Sequence, residues 1–175
     1  MAVFSVEFLM RVTSVALAAV LTIACMATSL SGQKPDDQID PRSMQLLAQG
    51  RAARAAGNLD GATDLIETAL AVDPRNRAGF LALAEVAEAR GLPGKAIRLY
   101  REALALEPND VAALQGQGEA LVAKGALAQA RENLARIRKL CKTGCGEATQ
   151  LAAAIAKGPP VTTAQVVAKP AATPE

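Results

Sequence analysis

Apolar positions between Ser43 and Lys142 follow two nested periods. Over short stretches they recur three and four residues apart, which places them on one face of a helix. Over longer ones the whole pattern returns every 34 residues, in three copies. Shifting the chain by that period superimposes Leu46, Phe80 and Leu114, then Gly50, Ala84 and Gly118, then Gly57, Gly91 and Gly125. Ala62 falls on Ala96 and Ala130, Ile66 on Tyr100 and Leu134, Ala69 on Ala103 and Ile137, and Pro74 on Pro108. The third copy drifts in its last turn, where Arg138 replaces the leucine of Leu70 and Leu104 and Lys142 stands in place of a third proline.

A period of this length with small residues at fixed offsets predicts one helical hairpin per unit. First helices are expected over 41–56, 76–90 and 109–124, and their partners over 60–72, 93–106 and 127–141. The small residues Gly50, Ala84 and Gly118 let a neighbouring helix approach closely. Gly57, Gly91 and Gly125 end the first helices, because glycine adopts the left-handed conformation without strain. Asp40 caps the first helix and Pro41 takes its first position. Asp73-Pro74 and Glu107-Pro108 mark the exits to the next hairpin. Gly144 is expected to break the sixth helix, and Cys145 to open a seventh over 146–157 that covers the apolar face of the third hairpin.

This pattern resembles the tetratricopeptide repeat family over about 100 of the 175 residues. Two departures are visible. The tryptophan common near the start of each unit is replaced by Leu46, Phe80 and Leu114, and the tyrosine one turn after the small residue by Ala53, Ala87 and Leu121. The resemblance implies an all-α fold, a right-handed α-solenoid of three helical hairpins plus a C-terminal capping helix. It also implies a concave groove lined by the first helix of each hairpin. The groove positions are Leu47, Arg51 and Arg54 in the first unit, Leu81, Glu85 and Glu88 in the second, and Gln115, Glu119 and Val122 in the third. Such a groove is basic at one end and acidic from the middle on. Family members that clamp a partner's C-terminal carboxylate use lysine, arginine and asparagine; Glu85, Glu88 and Glu119 argue against that mode and for a segment with a basic stretch.

Composition narrows the chemistry. The chain is 51% apolar, mostly through alanine and leucine, and only 2% aromatic, with Phe80 and Tyr100 the only aromatics after the first ten residues. That places the best-packed layer in the middle repeat. The net charge of +2 comes from interspersed charges, which excludes a nucleic-acid footprint. There is no histidine, no phosphate-cradling glycine loop and no nucleophile with a base at motif spacing, so neither enzyme activity nor a cofactor is expected.

Upstream, residues 12–30 carry no charge and follow Arg11. Three fates fit this run: a cleaved secretory signal, a lipoprotein signal, or an uncleaved anchor long enough to span a bilayer. Thr22-Ile23-Ala24-Cys25 resembles a bacterial lipobox, making Cys25 a candidate lipidation site, while Ala27 and Ser31 are candidate cleavage points. The segmentation is then a leader over 1–31, a polar linker over 32–40, a repeat domain over 41–157 and a disordered tail over 158–175. Beyond the leader two cysteines remain, Cys141 and Cys145. A structural disulfide stapling the seventh helix fits an oxidising compartment. Spacing other than C-x-x-C disfavours a redox site, and two thiolates alone do not fill a zinc site. The expected function is a non-enzymatic protein–protein interaction module, an exported, periplasmic adaptor or assembly factor that meets the membrane only through its leader or a lipid. The alternative is a structural component of an envelope assembly, using its convex face, end cap or tail.

Overall fold

A computed structural model of the chain describes residues 38–141 and 144–160. The leader with Cys25, the linker up to residue 37 and the tail from 161 lie outside them. Seven helices run through the described residues: α1 (Pro41–Ala55), α2 (Leu59–Val72), α3 (Arg77–Ala89), α4 (Pro93–Leu106), α5 (Val111–Ala123), α6 (Leu127–Leu140) and α7 (Gly146–Lys157). Each expected helix is present, with ends displaced by no more than about two residues, the usual fraying distance.

Local chemistry explains the ends. The side chain of Asp40 accepts from the Arg42 N–H at 2.8 Å with Pro41 opening the helix. Asn58, Asn76 and Asp110 do the same for α2, α3 and α5, accepting from the N–H groups of Gly61, Gly79 and Ala113. Gly57, Gly91 and Gly125 sit at φ of 78°, 69° and 82°. Helix α6, expected to run to Cys141, ends at Leu140 with Cys141 as its cap, where the backbone turns extended (φ −86°, ψ 106°).

The helices pack as three consecutive pairs, α1 with α2, α3 with α4 and α5 with α6, and α7 closes the end against both α5 and α6. The small-residue columns act as expected. A Cβ on Gly50 would press into Ile66, and one on Gly118 would stand 2.6 Å from Leu151 of the capping helix. Helix α1, with a neighbour on one side only, buries three residues, whereas α3 and α5 bury six each. Tyr100 is 3% exposed in the middle of the array, packed with Ala84, Ala87, Ala96 and Ala113.

Successive units are also joined by polar bonds one residue short of the period. The Asp40 N–H donates to Asp73 Oδ2 at 3.1 Å, and Asn76 Nδ2 donates to Ser43 Oγ at 2.8 Å, both across 33 positions. Arg77 pairs with Asp110 at the same separation. Ser43 Oγ in turn donates to the Ala69 carbonyl at 2.7 Å. Ser43, Asp73, Asn76 and Asp110 are buried, so bonding them also avoids the cost of about 1–3 kcal/mol for leaving a buried polar group unmet. Packing extends ahead of the first helix as well: Ile39 is 6% exposed.

Candidate functional site

The shared period sets α1, α3 and α5 side by side, with the expected groove residues in columns: Leu47, Leu81 and Gln115; Arg51, Glu85 and Glu119; Arg54, Glu88 and Val122. A cavity of about 210 Å³ opens between α3 and α5, lined by Leu81, Glu85, Glu88, Gln115 and Glu119 together with Tyr100. Tyr100 arises from α4 and reaches both first helices. Its phenol O–H donates to Glu88 Oε2 at 3.0 Å, and its ring occupies the space a side chain at Gly116 would need.

Charge in this cavity is lopsided. Arg54 Nη1 lies 2.6 Å from Glu85 Oε2, so the basic end of the groove is tied to its acidic middle. Glu88 and Glu119 are met by neutral donors, Tyr100 and Gln115. Burial, with the nearby charges of Glu119 and Glu85, pushes the Glu88 carboxyl up to about 7, against the opposing pull of the Tyr100 hydroxyl and Arg54. Burial, and then the charge of Glu88, raises the Tyr100 phenol as well.

The far end of the groove is shaped by α7. Gln115 Nε2 donates to Glu119 Oε1 at 3.0 Å and to Gln150 Oε1 of the capping helix at 2.5 Å. A second, wider cavity of about 380 Å³ lies beyond it, with Glu119, Val122, Ala123, Lys157, Pro159 and Pro160 among its lining residues. Elsewhere, Cys141 and Cys145 face each other across the α6–α7 turn with Cα atoms 6.0 Å apart, a span that a disulfide bridges. Both are packed against the cluster of Leu114, Leu134, Ile137 and Leu151. Among the described residues, no group of three or more His, Cys, Asp or Glu is placed to hold a metal ion.

The tetratricopeptide repeat model matches residues 47–111 and 81–143, which together span more than half of the chain. The chain belongs to the tetratricopeptide repeat family. Among solved structures, the Sgt2 tetratricopeptide domain from Aspergillus fumigatus superposes with a TM-score of 0.63 at 23% identity, over 82% of this chain and 94% of that one. The first such domain of Spaghetti (RPAP3), bound to the HSP90 peptide SRMEEVD, gives 0.61 at 22% identity, over 66% and 91%. The type III secretion translocator chaperone SycD of Yersinia enterocolitica gives 0.60 at 20%, over 65% and 81%. None of the curated proteins matches the sequence.

In this tetratricopeptide array, five of the nine expected groove residues meet in one cavity, and Arg54 joins them through Glu85. Val122 lies one cavity further on and is 4% exposed. Arg51 is exposed on α1. Leu47 departs from expectation: it is 1% exposed and clustered with Ile66, Ala82, Leu83 and Val86, so it packs the first hairpin onto α3 rather than facing the groove. Tyr100, Gly116 and Gln150 belong to the site and were not expected there. A signal for two of them exists. Tyr100 is the one hydroxyl in a column otherwise filled by Ile66 and Leu134, and Gly116 stands where the other copies have Ala48 and Ala82.

Proposed function

We propose that this protein is an interaction module whose groove takes an extended segment of another protein and holds a lysine or arginine of that segment against Glu88 and Glu119. The observation that carries this is the pairing pattern of the groove: Arg54 is engaged by Glu85, while the two carboxylates beyond it meet only neutral donors. Half-buried carboxylates favour a cationic ligand, which both neutralises them and supplies donors. The peptide in the RPAP3 domain, SRMEEVD, has three acidic residues and one arginine. The acidic groove here suits a ligand of the opposite charge.

The setting belongs to the same reading. The uncharged run 12–30 after Arg11 supports export, to the periplasm or to its membrane through the leader or a lipid on Cys25. The closeness of Cys141 and Cys145 supports a disulfide, which an oxidising compartment maintains. The protein would there be an adaptor or assembly factor.

A photo-cross-linking residue at Glu85, used in living cells with adducts identified by mass spectrometry, tests the groove. One protein is expected, joined through a segment containing lysine or arginine, and lost when Glu119→Lys is added. Capture only from probes on the convex face or the end cap would overturn the groove in favour of a structural component.

A further inference from the structure

The route by which the chain leaves the last helix bears on what fills the groove. Helix α7 ends at Lys157, and Gly158 turns the backbone at φ 76°, its N–H donating to the Ala154 carbonyl at 3.1 Å. Side-chain-bearing residues rarely adopt that angle, so the turn is specific to glycine. It sends Pro159 and Pro160 onto the wall of the second cavity, opposite Glu119 and Val122. The last described residues therefore already border the groove.

The segment beyond Pro160 carries one lysine, Lys169, and one acidic side chain, Glu175, so it is the lysine and not a net positive charge that matches the groove. Residues 161–175 read VTTAQVVAKPAATPE, in which Lys169 is the only basic residue and is preceded by Val166 and Val167. Nine positions separate Pro160 from Lys169, which an extended chain covers in up to about 30 Å. Neighbouring helices lie about 8–10 Å apart, so Glu119 on α5 and Glu88 on α3 both fall within reach. Apolar residues would cross the cavity bounded by Val122 and Ala123 on the way.

We infer that residues 161–175 are the groove's resident occupant, folding back along α5 so that Lys169 meets Glu119 and Glu88 and an external segment must displace them. This rests on the reading of the groove as a site for a basic extended segment. A tethered segment acts at an effective concentration in the millimolar range, so a weak contact is enough to hold it. If it fills nine-tenths of the molecules, an outside ligand binds about ten-fold more weakly than to an empty groove.

The test uses the full chain and a zero-length carbodiimide, which joins an amine to a carboxylate only in direct contact. Lys169 is expected to be joined to Glu119 or Glu88 within one molecule, as judged from a mixture of isotopically light and heavy chains. Linkage to carboxylates away from the groove, linkage only between molecules, or none at all would overturn the inference. A second readout uses a synthetic peptide of residues 161–175 with Tyr100 as reporter, the only tyrosine in a chain without tryptophan. The peptide is expected to bind the Lys169→Glu chain about ten-fold more tightly than the native chain; equal binding would remove the occupant. The two readings fail separately. A partner captured at Glu85 without the Lys169 link sinks the tail alone, and the Lys169 link with no partner captured in the Lys169→Glu chain sinks the external ligand alone.

Discussion

Replacing Glu88 by glutamine is expected to abolish a pH dependence that the native protein carries near neutrality. In the fold the carboxyl is displaced from 4.5 to about 7, chiefly by burial and then by the charges of Glu119 and Glu85. The folded state therefore holds a proton that the unfolded chain releases, and this contribution to stability falls as pH rises through the window from 4.5 to about 7. At ~1.4 kcal/mol per unit the ceiling is about 3 kcal/mol, and solvent screening of a half-buried carboxyl brings it to about 1–2 kcal/mol. Glutamine cannot ionise, yet its carbonyl still accepts from the Tyr100 hydroxyl. Glu88→Gln should thus match the native protein near pH 4.5 and exceed it by about 1–2 kcal/mol near pH 8. Urea unfolding followed by circular dichroism at a series of pH values provides the measurement. The other carboxyl displaced at a buried position does not interfere. Burial raises Asp73, but bonds from Arg75 and the Asp40 N–H outweigh it and hold the group below 3.8, so its contribution is lost only in acid. Parallel native and Glu88→Gln curves between pH 4.5 and 8 would refute the reasoning. The same ionisation governs ligand binding with opposite sign: affinity for a lysine-containing peptide should rise with pH through about 7 in the native protein and stay flat in the variant.

Gly118→Val should overpack the contact with Leu151 and cost about 1–3 kcal/mol, with hydrogen exchange accelerating first in α7. Asp110→Ala removes both the cap on the Ala113 N–H and one of the partners of Arg77, and should lower stability by about 1–2 kcal/mol in urea unfolding. Alkylation before reduction, followed by peptide mass mapping, should leave Cys141 and Cys145 unmodified; reduction should lower stability by about 2 kcal/mol, at the low end for a disulfide because the closed loop is short.

Every helix of the described array could be read from the chain, because the apolar period repeats and many boundaries are set by local devices. Asp40, Asn58, Asn76 and Asp110 need only neighbouring N–H groups, and Gly57, Gly91 and Gly125 need only their own backbone freedom. The third repeat drifts at Arg138 and Lys142, yet α6 still ends within a residue of the expected Cys141. The groove columns follow from the period, but occupancy of a column depends on tertiary context. Leu47 turns inward and packs with Ile66 and Val86. Tyr100 occupies a core column, and its hydroxyl enters the groove only because Gly116, on another helix, leaves room. A coincidence of that kind between separate units is invisible to any one unit's pattern.

The bonds between residues 33 apart have a mechanical consequence. All three lie at the edge where one hairpin hands over to the next, and all are buried or half-buried. The opposite edge, at the glycine turns, is bridged by the Arg90–Asp60 pair, in which the Asp60 side chain is 92% exposed. Exposed pairs of this kind contribute little. The array is thus stiff along one margin and compliant along the other, like a book bound at its spine. Its softest deformation is a fanning of the glycine turns about the Asp40, Asn76 and Asp110 margin. Beyond the third unit the capping helix is held by apolar contacts, the Gln115–Gln150 hydrogen bond and the cysteine pair.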